Sequence, residues 1–144
     1  MKRLTLIDKA FLLKRSPLFA ALDLDLLLTI ADKLSVATFE SKESIFGVDE
    51  EANRMYFIVR GEVAIQSASA EPICTLKDGD FFGEESLFNN KPRAYAVQSL
   101  EETMLLSLSR TNLYTIISEC PSVAVGFLQV YTTGTQFRGC SKIS

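Results

Sequence analysis

The chain has 144 residues, 47% of them hydrophobic and 23% charged, with four prolines and seven glycines. That balance suits one globular domain with a filled core and excludes disordered, collagen-like and disulfide-scaffold classes. Fifteen basic residues against eighteen acidic ones leave a net charge of -3, and no run of Lys and Arg is dense enough to follow a phosphate backbone, so direct nucleic-acid binding is not expected.

At the start, MKRLTLIDKAFLLKR carries Asp8 inside its apolar part and Lys14 and Arg15 after it. It has no small-residue cleavage site and does not read as a signal peptide. Leu6, Ile7, Ala10, Phe11 and Leu13 recur at helical spacing, and Pro17 follows as a breaker, which predicts a short helix over 4–13. Asp23 is placed to cap a second helix over 24–34, with Leu26, Leu27, Ile30, Ala31 and Leu34 as its apolar stripe. From Ser35 to Ser109 the short runs VATF, SIF, MYFIV, VAIQ, ICTL, AYAV and MLLSL alternate with polar or glycine punctuation. That pattern predicts a small antiparallel barrel or sandwich. Gly61 suits a tight reversal between MYFIVR and EVAIQ, and SASAEP supplies a second turn. Beyond Ser109 helical spacing returns at Leu113, Ile116 and Ile117, and again from Pro121 through Val123, Phe127, Leu128 and Tyr131, with Gly134 as a stop. No apolar run is long enough to span a membrane.

Histidine is absent, which removes His-ligated metals, Ser/His/Asp triads and Cys/His pairs from the inventory; no metal site and no enzyme activity are expected. Cys74, Cys120 and Cys140 are an odd number at wide spacing, a usage that fits reduced thiols and a cytoplasmic setting.

The stretch that carries chemistry is Gly79-Asp80-Phe81-Phe82-Gly83-Glu84-Glu85-Ser86-Leu87, followed by Arg93. Two glycines bracket two aromatics ahead of an acidic, Ser-containing turn, whose exposed N–H groups form an anion-binding concavity. Gly83 lets a ligand approach the backbone. Arg93, read as the start of a strand, returns over the concavity with the bidentate donors that phosphate oxygens favour, and Glu84 suits a sugar hydroxyl. Taken singly, an Arg beside a turn is more often a solvated surface residue.

As one cassette, these residues resemble the cyclic nucleotide-binding domain family, whose phosphate-binding segment has the form F-G-E-x-A/S-L, a variable turn, then R-A/S/T-A-T/S. Phe82-Gly83-Glu84-Glu85-Ser86-Leu87 and Arg93-Ala94 match it. PLFAALDLDLLLTIADKL, MYFIVRGEVAI and LKDGDFFGE are similar to further segments of the family, so the likeness runs from Pro17 to Phe137. The resemblance implies a mainly β fold with flanking helices: a jelly-roll-like, double-stranded β-helix barrel with N-terminal and C-terminal α-helices. On that basis residues 1–144 form a single domain, with a helical lead at 1–34, a β-barrel at 35–109, C-terminal helices at 110–137 and a tail at 138–144.

By the same resemblance the nucleotide-binding residues are Gly83, Glu84, Glu85, Ser86, Arg93 and Ala94. Arg93 pairs with the cyclic phosphate, Glu84 accepts from the ribose 2′-hydroxyl, and N–H groups near Gly83, Ser86 and Ala94 complete the cradle. A residue of the final helix closes over the base in the family, which makes Phe127, Leu128 or Tyr131 the candidates here, each equally well read as core packing. Several positions depart from the pattern. Tyr95 stands where the family has a small Ala and modifies the pocket. Ala96 replaces a hydroxyl residue, and Asp49 and Ala52 replace glycines. Glu85 is a charge at an often apolar position. Ala94 offers no hydroxyl to a guanine amino group, which favours cyclic AMP over cyclic GMP. The expected function is a regulatory module that binds cyclic nucleotide and signals through its flanking helices to a protein partner or a second copy. The alternative is a degenerate fold that binds no nucleotide and serves as an interaction or oligomerisation scaffold.

Overall fold

A computed structural model describes residues 4–133; the expected helix stop at Gly134, the tail and Cys140 lie outside them. Helix α1 (Leu6–Lys14) begins where the Thr5 hydroxyl accepts from the Asp8 N–H and the Asp8 carboxylate accepts from the Thr5 N–H, a reciprocal cap that satisfies two otherwise orphaned donors. Asp23 caps α2 (Leu24–Ala31) through the Leu26 N–H, as its position predicts. The strands are β1 (Ser35–Phe39), β2 (Ser44–Phe46), β3 (Arg54–Arg60), β4 (Glu62–Gln66), β5 (Pro72–Lys77), β6 (Phe81–Phe82), β7 (Ala96–Ser99) and β8 (Thr103–Ser109), with the short helix α3 (Glu85–Asn89) between β6 and β7. Helices α4 (Arg110–Glu119) and α5 (Ser122–Thr133) follow. Neither is long and apolar enough to cross a membrane, and only as a pair, bent by 109°, do they reach the required length and composition.

The expected barrel is corrected. The strands form two open four-stranded antiparallel sheets, β1-β8-β3-β6 and β2-β7-β4-β5, and no ladder joins them among the described residues. The fold is thus mixed α/β, two sheets with helices packed beside them. One edge of each sheet is too short or irregular to extend pairing: β6 has two residues, and β2 has three, with a register shift against β7.

Period two sorts the side chains of the first sheet into two layers. Ile58 and Leu105 point between the sheets, with Phe46, Val63, Ile65, Phe82, Tyr95 and Val97. Met55, Phe57, Leu106 and Leu108 point the other way, onto Ala10, Leu13, Phe19, Leu27, Leu113 and Phe127 of the helical layer. Strand β8 is therefore covered on both faces, which is why MLLSL reads as a continuous apolar run without alternation. Gly61, at φ +112°, makes the β3–β4 reversal with its would-be Cβ only 2.8 Å from the Thr103 Cα, so the turn tolerates neither the strain nor the volume of a side chain. At Gly126 of α5 an added Cβ would lie 2.9 Å from the Leu18 carbonyl oxygen. The last helix thereby sits against the Ser16–Leu22 segment and stays within reach of the α3 turn.

Candidate functional site

Strand β6 splits its two aromatics between the layers. Phe81 meets Phe57 and Phe127 on the helical side, while Phe82 meets Phe46 and Tyr56 between the sheets. The chain then turns at Gly83 with φ +88°, a conformation glycine adopts without the Cβ penalty. Five helical residues follow and end at left-handed Asn90, φ 57°. Pro92 brings the chain back. AYAV is not a strand throughout, because β7 starts only at Ala96. Arg93 instead exchanges backbone bonds with the 49–50 turn: its N–H donates to the Glu50 carbonyl at 2.9 Å, and its carbonyl accepts from Asp49 at 2.8 Å. Asp49 itself has φ +69°, which Asp tolerates better than most residues, so its turn forms without a glycine. Alternation nevertheless holds: Arg93 and Tyr95 point inward and Ala94 is exposed.

Two opposite charges are buried on this turn. Arg93 is 4% exposed and Glu84 is 0% exposed. The Arg93 guanidinium lies 3.9 Å from the Phe46 ring centroid. Its Nη1 donates to the Gly83 carbonyl and its Nη2 to the Arg54 carbonyl, each at 2.6 Å. Its Nε is buried without a hydrogen-bond partner. Burial pulls the Arg93 pKa below the usual guanidinium value, and Tyr95, Tyr56 and the carboxyl groups of Glu85 and Glu84 pull it back up. Glu84 accepts from the Tyr131 hydroxyl of α5 at 2.9 Å.

The Tyr95 side chain reaches the same turn from the far side. The Gly83 N–H donates to the Tyr95 hydroxyl oxygen at 2.9 Å, and that hydroxyl donates to Glu85 Oε1 at 2.7 Å. The ring packs 5.7 Å from Phe46. Loss of solvent drives the Tyr95 pKa well above the ordinary phenol value, and the neighbouring Glu85 and Glu84 charges push it further.

The remaining predicted residues divide. Ser86 is buried and its hydroxyl donates to the Pro92 carbonyl at 3.3 Å, bracing the return to Arg93. Of the lid candidates, Phe127 is core, 3% exposed, in edge contact with Phe81 and Phe88, and Leu128 points to solvent at 61%. Of the three, Tyr131 is the one that hydrogen-bonds Glu84. Gly83, Glu84, Glu85, Ser86, Arg93, Tyr95 and Tyr131 are thus gathered at one place, and the side chains of Ala94 and Leu128 are not. Sequence reasoning missed Phe46, which carries the guanidinium, and Arg110. The latter donates from Nη2 to the carbonyls of Ala52 and Ser86, both at 3.1 Å, and ties the 49–53 loop to α3; the one available signal was an Arg at a strand-to-helix junction. On the outer side of this loop a cleft of about 230 Å³ is lined by Asp49, Glu51, Asn90, Lys91, Pro92 and Arg110.

The profile described as "Cyclic nucleotide-binding domain" matches residues 36–120. A cyclic nucleotide-gated potassium channel of Mesorhizobium japonicum is 32% identical over 108 residues, covering 75% of this chain and 30% of the channel. A cAMP-dependent protein kinase regulatory subunit of Emericella nidulans is 32% identical over 117 residues, covering 75% of this chain and 28% of the subunit. The chain thus spans about three-tenths of the length of these relatives. Among solved structures, the catabolite activator protein of Thermus thermophilus superposes with a TM-score of 0.76 at 23% identity, covering 82% of this chain and 57% of that one. The regulatory domain of Toxoplasma gondii PKA, crystallised with cAMP, gives 0.75 at 20% identity, covering 85% and 48%. At those identities the structures speak for the fold.

Proposed function

Since the chain belongs to the cyclic nucleotide-binding domain family, a regulatory and non-catalytic class, we propose that it takes a cyclic nucleotide on the cradle of Gly83, Glu84 and Arg93 and passes occupancy to its last helix. The observation that carries this reading is the orphaned Arg93 Nε. A buried charged donor without an acceptor costs about 1–3 kcal/mol or more, and native proteins rarely leave one unless another group comes to it. A phosphate oxygen meeting Nε and an adjacent Nη is the pairing the guanidinium fork favours. Glu84 supplies the acceptor for a ribose hydroxyl. One of its oxygens accepts from Tyr131, so a ligand hydroxyl that took over that oxygen would release a contact between the cassette and α5. That exchange gives the bound and free states different contacts at the C-terminal helix, the condition for a ligand to shift a conformational equilibrium. From there the change reaches a protein partner or a second copy. Ala94, without a hydroxyl for a guanine amino group, supports cyclic AMP over cyclic GMP.

Isothermal titration with each nucleotide tests the reading, using the parent chain and Arg93→Lys, which keeps the charge and loses the fork. Binding of cyclic AMP by the parent, weakened at least tenfold (about 1.4 kcal/mol) by Arg93→Lys, is expected. No heat from either nucleotide at millimolar concentration refutes it. A second reading, a scaffold that binds no nucleotide, is favoured by one observation: the Gly83 N–H and both Arg93 Nη groups already have internal partners. Silence in the same titration together with a stable oligomer in light scattering supports the scaffold.

A further inference from the structure

Between Gly83 and Glu85 the structure holds a three-part relay in which the Gly83 N–H donates to the Tyr95 hydroxyl and that hydroxyl donates to the Glu85 carboxylate. The middle member is a single hydroxyl acting as acceptor and donor at once, the capacity that a sugar hydroxyl has and that an ionised phosphate oxygen lacks. We propose that Tyr95 is a built-in surrogate for the ligand, a latch whose hydroxyl occupies the Gly83 N–H and whose partner Glu85 brings negative charge to the cradle, so that cyclic nucleotide enters only by displacing it. The inference rests on the cyclic-nucleotide reading and adds to it the residue pair that sets affinity.

Three observations converge on this role. First, the contact is specific: Tyr95 is 3% exposed and reaches back twelve residues to the N–H of Gly83, the residue whose carbonyl holds the Arg93 guanidinium. Tyr95 therefore fills the position chemically as well as sterically. Second, Glu85 is only partly buried, so its carboxylate can swing toward water when the phenol leaves, and the opening need not strand a buried charge. Third, Arg93 retains its free Nε while the latch is shut. The phosphate position and the hydroxyl position are thus in different states, one lacking an acceptor and the other already filled. A ligand gains the first contact directly and must compete for the second. Competition of this kind lowers apparent affinity by the fraction of molecules in which the site is open.

The test compares the parent chain with Tyr95→Phe, which removes the hydroxyl and keeps the ring, by titration with cyclic AMP and by exchange of the Gly83 amide in ¹⁵N spectra without ligand. The latch predicts a protected Gly83 amide in the parent, loss of that protection in Tyr95→Phe, and cyclic AMP affinity at least tenfold tighter in the variant. Glu85→Gln, which leaves every ring in place, is expected to tighten binding in the same direction and carries the test if Tyr95→Phe does not fold. Equal affinity in parent and variants overturns the latch and leaves the cyclic-nucleotide reading standing. An unprotected Gly83 amide in the parent also overturns the latch alone. Failure of every form to bind, with Tyr95→Ala included, overturns the nucleotide reading and the latch with it.

Discussion

Replacing Gly83 by Ala should weaken the fold through two separable effects, and Gly79 provides the control that separates them. Both residues have positive φ, +88° and +91°, so each Ala substitution carries a backbone cost of about 1–3 kcal/mol. Around Gly79 an added Cβ meets nothing within 4 Å, whereas at Gly83 it lies 3.0 Å from Arg93 Nη1 and 3.5 Å from both the Arg54 carbonyl oxygen and Phe46 Cε2. The guanidinium cannot yield freely, because it is held by two carbonyl bonds and lies over the Phe46 ring. Losing or lengthening one charged hydrogen bond adds about 1.5–3 kcal/mol. Gly83→Ala should therefore cost roughly 2.5–6 kcal/mol, and Gly79→Ala only the backbone share, against a total stability of about 5–15 kcal/mol for a domain. Urea unfolding followed by circular dichroism measures both, and the difference between them, about 1.5–3 kcal/mol, reports the Arg93 contact. Equal losses at the two glycines would refute the claim that Arg93 is fixed against Gly83.

Tyr131→Phe removes a donor to the fully buried Glu84 and should cost about 1.5–3 kcal/mol, read as a lower urea midpoint; an unchanged midpoint would mean that the contact with α5 carries no energy. Alkaline pH should unfold the chain in part through Tyr95. Because burial raises its folded pKa, the native state holds the phenol proton more tightly than the unfolded chain does. The stability linked to that proton is intact below the unfolded value of about 10 and declines as pH rises from there toward the folded pKa. Urea midpoints taken across that range should fall more steeply for the parent than for Tyr95→Phe, and parallel slopes would contradict the assignment. Phe82, buried between the sheets at 0% exposure, should lose about 3–5 kcal/mol on substitution by Ala, again by urea unfolding; a loss under about 1 kcal/mol would show that the inter-sheet layer is loosely packed.

What could be read in advance was local. The caps at Asp23 and Gly61's reversal depend on a few neighbouring residues, and both formed as expected. The β-rich runs marked seven strands, though AYAV contributes only its second half to β7, the chain just before it being engaged through Arg93 with the 49–50 loop. Strand β6 escaped notice since two residues show no period. The barrel was overextended for a related reason: alternation says which face of a strand is apolar and nothing about whether edge strands find each other, which is a non-local matter. At the site, Gly83, Glu84 and Arg93 could be grouped because glycine, carboxylate and guanidinium each have a known use near phosphate. The Tyr95 hydroxyl on Gly83 and the Tyr131 hydroxyl on Glu84 could not, since the first depends on the depth at which the chain returns and the second joins residues 47 positions apart. Tyr95 was legible as an oddity of size; its polar end is what gives it a role.

The most direct measurement is a crystal structure of the chain grown with cyclic AMP. A phosphate oxygen within hydrogen-bond distance of Arg93 Nε, a ribose hydroxyl on Glu84, and Tyr95 withdrawn from the Gly83 N–H are expected. Nucleotide bound in another cleft, such as the one beside Lys91 and Arg110, or crystals at saturating nucleotide in which Tyr95 still holds Gly83 and Arg93 Nε has gained no acceptor, would contradict it.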